Sequence, residues 1–455
     1  MARNIAEYLT LICFTAISFV IFNQVYKTSK LVIDEEFHLR QGLHFCEGRF
    51  HIWDRKITTF PGLYFLSTAL FAPFGLCQDY FLRLTCFICS IFNFVLFYKI
   101  RRTVSDTQQK RVNTLEALTL SLLPPLYFFN HLYYTDVPAL TTVLLMLYFA
   151  LKDRHCCGSM AAIASVAMRQ TNIVWVGMVL GVCALNYIVA RAHPFLKLKS
   201  RANINYSFKD LVTCFDVYLH RPDLIWSHFK GILMEFYGYL SVILGFIVFL
   251  WYNGSIVIGD KCAHQAAIHI PQIFYFSLFI AIFAPSLILT KLHLVFRLVI
   301  RRWFTFIMLA IIFAVVIRYN TIEHPYLLAD NRHYTFYLWN RFYGKYEFAR
   351  YIIIPFYLVA LGCVFYHLND NQRSIGFTIL YIVCTLASIA LQRLFEIRYF
   401  ILPYIYLRVH INNVKPNYVL LEFFLYLALN ICTFYLFFTK EIVWTDYKET
   451  QRLIW

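Results

Sequence analysis

The sequence predicts an all-α polytopic membrane protein, and three observations carry that expectation. Hydrophobic residues fill 60% of the 455 positions and charged residues only 15%, against roughly half and a quarter in soluble domains. Mean hydropathy is +0.59. The apolar residues gather into long runs separated by short basic clusters, as in a chain that crosses a bilayer repeatedly. These features exclude a soluble enzyme, a disordered protein and a nucleic-acid-binding domain. The formal charge of +16 therefore reads as membrane anchoring and not as binding of a polyanion. The 46 Phe and 33 Tyr suit lipid-facing surfaces and ring-lined cavities.

A span takes about 20 mostly apolar residues. About twelve can be placed in order, near 8–26, 80–100, 114–131, 137–151, 158–168, 171–190, 236–252, 272–290, 303–319, 351–367, 375–392 and 419–438. Residues 8–26 lack a small-residue cleavage site and read as a first span, not as a signal peptide. The segment 158–168 is short, as expected of a helix tilted or enclosed by protein. Residues 61–75 open with Pro61-Gly62 and close near Pro73 and Gly75, and read as a re-entrant or interfacial helix. No repeat or separate soluble domain interrupts the chain, so 1–455 is one membrane domain.

With the N-terminus in the cytosol and the spans alternating, Lys and Arg accumulate on one side. The cytosolic loops are 101–111, 291–302 and the long 191–235, which by residue 231 has seven Lys/Arg against three Asp. The opposite loops 27–60 and 320–350 carry six against five and four against three. That opposite side also holds the loops 252–270 and 393–418, the turn Tyr133-Tyr134-Thr135-Asp136, Arg169-Gln170 and the sequon Asn253-Gly254-Ser255. A second sequon, Asn205-Tyr206-Ser207, falls on the cytosolic side. Of thirteen cysteines, Cys86 and Cys89 form a CxxC that lies mid-span, where core packing is expected and not metal or redox work. Cys46 and Cys262 lie in polar loops and can pair only if those loops meet.

Three stretches carry chemistry. Asp34-Glu35-Glu36-Phe37-His38 sets three carboxylates beside a membrane boundary, and Trp53-Asp54-Arg55-Lys56 follows. Such a cluster reads as a solvated acidic loop, or as a general base for a hydroxyl with His, Lys or Arg balancing charge. Trp53 offers a flat face to a sugar ring or an interfacial anchor. In the run from Glu323 to Tyr334, Arg332 and His333 suit a phosphate; the spacing of His324, Asp330 and His333 does not suit a metal. Gln392-Arg393-Leu394-Phe395-Glu396-Ile397-Arg398 sits at a span's end, where arginines either snorkel or bind an anion. No P-loop, dinucleotide fingerprint or GxSxG elbow is present. On their own these residues leave two classes, a transferase using a lipid phosphate or a transporter. Charges gathered at one face without repeat symmetry favour the transferase.

The run DEEFHLRQGLHFCEGRFHIWDRKITTFPGLYFLS resembles the first lumenal loop of the dolichyl-phosphate-glucose-dependent α-1,2-glucosyltransferase family. So do YYTDV at 133–137, MRQTNIVW at 168–175, NGSIVIGDK at 253–261, HPYLLADNRHYTFYLWNR at 324–341 and EIRYFILPY at 396–404. The resemblance implies a GT-C-type fold in the endoplasmic reticulum membrane with a lumenal site. It also implies a dolichyl β-D-glucosyl phosphate donor, a diglucosylated dolichyl-diphosphate oligosaccharide acceptor and an inverting transfer that forms a terminal α-1,2-linked glucose without a nucleotide sugar; no cofactor and no metal ligands are expected. Carried onto this sequence, it makes Asp34 the base, with Glu35 as the alternative. Arg332, His333 and Arg398 become candidates for the leaving phosphate. His38, Trp53, Asp54, Lys56, Asp136, Arg169 and Gln170 are expected to line the sugar or acceptor pocket. The rival reading is a non-catalytic membrane protein, a channel modulator or a carrier of lipid-linked sugar.

Overall fold

A computed structural model describes residues 2–29, 31–105, 112–196, 205–261, 266–370, 373–412, 414–444 and 450–455. Cys262 and part of each of the loops 101–111 and 191–235 lie outside the described residues. In chain order the helices are α1 (Ala2–Thr28), α2 (Glu35–Cys46), α3 (Gly62–Phe71), α4 (Asp79–Val104), α5 (Asn113–Ser121), α6 (Pro124–Phe129) and α7 (Asp136–Ala150). Then come α8 (His155–Met168), α9 (Ile173–Leu196), α10 (Phe208–His220), α11 (Pro222–Asn253), α12 (Pro271–Phe283), α13 (Pro285–Arg301) and α14 (Trp303–Asn320). The last are α15 (Pro325–Ala329), α16 (Tyr334–Leu338), α17 (Ala349–Ile352), α18 (Ile354–Leu368), α19 (Ile375–Ile389), α20 (Ile401–His410) and α21 (Pro416–Thr439). A two-stranded antiparallel pair, β1 (Glu441–Ile442) with β2 (Gln451–Arg452), follows.

Proline opens many of these helices (α6, α11, α12, α13, α15 and α21) at the first-turn position where its missing N–H costs nothing. Ser207 closes a capping box on α10, and Ser374 accepts the Phe377 N–H to cap α19. Gly254, at φ +69, ends α11 in the left-handed conformation that a side chain resists.

Among the described residues seven helical stretches are long and apolar enough to cross a membrane, or eight if the pair α12–α13, bent by 107°, counts as one. The expected count of about twelve is not reached, for physical reasons visible in the chain. Pro124 divides 114–131 into α5 and α6, and Pro285 turns the polar-faced α13 away from α12. Helices α7, α8 and α19 are apolar but have only 15, 14 and 15 residues. Segment 61–75 is a ten-residue helix, about 15 Å long, too short to span. Its start lies so close to the end of α8 that a Cβ on Gly62 would meet the Ala167 carbonyl oxygen at 2.4 Å. Cys77, just beyond it, is disulfide-bonded to Cys46 at the end of α2, so the partner of Cys46 is Cys77 and not Cys262. Cys86 and Cys89 are buried free thiols in α4.

The segment 393–418, expected as a loop, contains a helix that runs through the core. Tyr404, Ile405, Leu407 and Val409 of α20 are fully buried. One end of this segment brings Arg398 to within 4.0 Å of Asp34. At the other end Arg101, in the last turn of α4, donates to the carbonyls of Val409 and Ile411, each at 2.8 Å. Arg408 carries charge into this core and is balanced there by Glu422 at 2.8 Å and Glu116 at 3.7 Å, as a buried charge requires. Hydropathy misses α20 because it is short and bears tyrosines and an arginine. The crossing also changes where the chain goes next: α21 returns to the Asp34 face, where Ile454 bridges to His333 and Trp444 bonds to Asn331.

Candidate functional site

The site begins with a turn between α1 and α2. Asp34 occupies the N-cap position of α2 without a side-chain capping bond, and the residue before it, Ile33, is held at φ +49. A β-branched side chain resists that left-handed conformation, so the surroundings must impose it. The three consecutive carboxylates then diverge. The Asp34 side chain is 53% exposed, whereas that of Glu35 is fully buried. Glu35 receives Arg83 through both oxygens, Nε to Oε1 at 2.8 Å and Nη2 to Oε2 at 2.6 Å, and also the Tyr133 N–H at 2.7 Å. Its carboxylate is fully buried and already accepts three hydrogen bonds, whereas that of Asp34 is open. Glu36 pairs with Arg40 along the outer side of α2.

Four elements converge on Asp34. One turn along α2, His38 bonds through Nδ1 to the Tyr64 hydroxyl at 2.7 Å. Burial pushes the pKa of His38 down to about 4, so it is neutral near pH 7. From the turn before α20, Arg398 reaches Glu396 at 2.8 Å, Asp136 at 3.6 Å and Asp34 at 4.0 Å. Its guanidinium lies over Phe129 and Tyr134, 5.3 and 5.2 Å from the ring centres. Asp136, in the first turn of α7, also pairs with Arg169 at the end of α8. Gln170, next along, donates to the Thr58 carbonyl at 2.9 Å and ties the first loop to the α8–α9 junction.

A cavity of about 800 Å³ opens beside this cluster, lined by Asp136, Arg169, Gln170 and Arg398. Its wall also contains Lys261, His324, Arg393 and Tyr399, none of which the sequence reading assigned to the site. Arg393 was visible only as one more boundary arginine, and Lys261 only as the end of the NGSIVIGDK run. Residues 258–260 lie against the first loop, with the Ile258 and Asp260 N–H groups donating to the carbonyls of Thr58 and Arg55. In that loop the Asn253 side-chain amide donates to the Ser255 and Val257 carbonyls at 2.7 and 2.9 Å, so the sequon asparagine is engaged in closing a turn.

The remaining expected residues lie elsewhere. Trp53 packs on Phe45 and Tyr64 behind His38. Asp54 accepts the Lys56 N–H and shapes its own turn, while the Lys56 ammonium covers Phe37 at 4.5 Å. Arg332 and His333 do not face the cavity cluster. Arg332 forks onto Asp330 at 2.9 and 2.8 Å, donates to Gln451 at 3.2 Å and stacks on Trp444 at 4.2 Å. His333 sits 3.3 Å from the Trp455 carbonyl. Both fasten Trp444, Gln451 and Trp455 to the loop 320–350.

The fold and this cluster define a polytopic all-α membrane protein with a cavity flanked by paired carboxylates and arginines at one end. The sequence model of the DIE2/ALG10 family matches residues 28–409, and the chain belongs to that family. It is 40% identical over 444 residues, 97% of each chain, to a Drosophila melanogaster protein named Dol-P-Glc:Glc(2)Man(9)GlcNAc(2)-PP-Dol alpha-1,2-glucosyltransferase. Proteins with the same name from Homo sapiens and Arabidopsis thaliana are 32% and 30% identical, each across 93% of this chain and 93% and 94% of their own. No solved structure matches.

Proposed function

We propose that the protein is an inverting glucosyltransferase of the endoplasmic reticulum membrane, of GT-C type, with the Asp34 face toward the lumen. Its donor is dolichyl β-D-glucosyl phosphate. Its acceptor is the diglucosylated dolichyl-diphosphate oligosaccharide, and the product carries a terminal α-1,2-linked glucose. The names of the relatives support the substrates. A disulfide between Cys46 and Cys77 on that face suits an oxidising compartment, and the basic ends Arg101-Arg102 and Arg301-Arg302 lie opposite.

The observation that carries the chemistry is the exposed Asp34 carboxylate beside a cavity walled by arginines. The acceptor 2-hydroxyl gives its proton to Asp34 as its oxygen attacks C1 of the glucose. The bond from C1 to the phosphate oxygen breaks on the opposite face, and the electron pair leaves with dolichyl phosphate. That leaving group is a weak base and needs charge neutralisation, which Arg393 and Arg398 supply from the cavity wall. Asp136, which Arg169 also pairs, holds Arg398 in register, and neutral His38 lies one turn along α2 from Asp34.

The test is transfer by purified protein in liposomes, with the product linkage read by glycosidase digestion. A third glucose in α-1,2 linkage, formed far more slowly by Asp34→Asn, supports the reading. A folded wild-type protein that binds both lipids and makes no product refutes it.

A further inference from the structure

Asp34 is exposed and touches Arg398 only at 4.0 Å, so its own side-chain contacts do not fix where it points. The backbone does. Arg83, in the second turn of α4 and fully buried, donates Nη1 to the Ser29 carbonyl at 2.9 Å and grips the Glu35 carboxylate with Nε and Nη2. One guanidinium therefore clamps both ends of the turn from Ser29 to Glu35. Between the clamp points the Tyr134 hydroxyl donates to the Val32 carbonyl at 3.0 Å. Val32 and Ile33 are buried, and Ile33 is strained at φ +49. Such strain persists only where its surroundings over-determine it. A buried ion pair is a poor source of net stability beside an apolar pair of equal volume. What it supplies here is the fork geometry that an apolar pair cannot, since two hydrogen bonds in a plane fix direction as well as distance.

We propose that Arg83 is a positioning residue for the Asp34 carboxylate, acting through Glu35 and the Ser29 carbonyl. The inference rests on the reading of Asp34 as the base. Loosening the clamp moves the carboxylate away from the attacking hydroxyl without touching either substrate, so it lowers kcat and leaves KM alone.

The experiment compares Arg83→Lys, Asp34→Asn and the double variant in the full-length protein, with rates expressed per folded molecule. Lysine keeps the charge and loses the fork. The expected result is a kcat lower by roughly 10- to 100-fold, KM for both lipids within about twofold, and a double variant no slower than Asp34→Asn alone. An unchanged kcat, a loss shared with KM, or additive losses in the double variant would overturn the proposal. If Arg83→Lys does not fold, Tyr134→Phe removes the hydroxyl that bonds the Val32 carbonyl of the same turn and is read by the same criteria. An active Asp34→Asn would defeat the assignment of the base itself. An inactive Asp34→Asn beside a fully active Arg83→Lys would defeat only the positioning role.

Discussion

Asp34 and Asp136 come from distant parts of the chain and meet across one guanidinium, that of Arg398, 4.0 Å from the first and 3.6 Å from the second. Their surroundings divide the work between them. The Asp136 carboxylate is 5% exposed and held by two arginines, whereas that of Asp34 is 53% exposed. The exposed carboxylate is the one able to take a proton from an incoming hydroxyl. Asp34→Asn should therefore cost roughly 10²- to 10⁴-fold in kcat with the melting temperature unchanged. A steady-state assay beside a thermal-shift curve checks it, and wild-type turnover in the variant would count against a base at this position.

His38 gives a pH dependence whose sign follows from burial. Desolvation lowers its pKa from 6.5 to about 4, with Asp34 and Asp136 pulling upward and Arg398 and Arg169 downward. As pH falls, the unfolded chain takes up this proton before the folded protein does. Stability that is fully present above pH 6.5 is then lost toward about 4. His38→Gln should flatten that loss, as read from melting temperatures between pH 4.5 and 7.5, values on the order of the shifted range. Parallel curves for the two proteins would show that His38 does not titrate in this way.

Arg332→Ala should act on the fold and not on the donor. The guanidinium bonds Asp330 and Gln451, and losing hydrogen bonds to a charged group costs about 1.5–3 kcal/mol. A lower melting temperature with donor KM unchanged is expected. A raised donor KM at unchanged stability would return Arg332 to the substrate site.

Reduction of the Cys46–Cys77 disulfide frees a segment with a sequence separation of 31. Loop-closure entropy puts the loss at about 3–4 kcal/mol. Dithiothreitol should lower the melting temperature of the wild type and leave Cys77→Ser unaffected. An equal response of both proteins would mean that the bond is absent in solution.

Much of the outline was legible in the sequence because apolar runs announce themselves. The acidic cluster at 34–36 also stood out, since three carboxylates beside a span are costly. What separates Asp34 from Glu35 was not legible, because it depends on Arg83 and the Tyr133 N–H arriving from other helices. Helix α20 was hidden for the opposite reason. Arg408 and the tyrosines depress its hydropathy, and the glutamates that neutralise Arg408 come from α5 and α21. Arg332 and Arg398 both read as candidates for the leaving phosphate, and the contacts of Arg332 with Asp330, Gln451 and Trp444 set it apart.

Helices α8 and α19, of 14 and 15 residues, are only about 21 and 23 Å long and present Met160, Ile163, Ile382 and Val383 outward. A bilayer core of about 30 Å does not match them. Local thinning of the membrane beside the cavity would match them, at a cost of fractions of a kcal/mol per Å of mismatch. A dimple brings the headgroup layer down to Arg169 and Leu391 at the ends of these two helices, so a lipid-borne phosphate could meet the cavity wall without being pulled toward the midplane. Turnover should accordingly fall as the acyl chains of the host liposomes lengthen, and a rate indifferent to chain length would mean that the bilayer does not adapt to these helices.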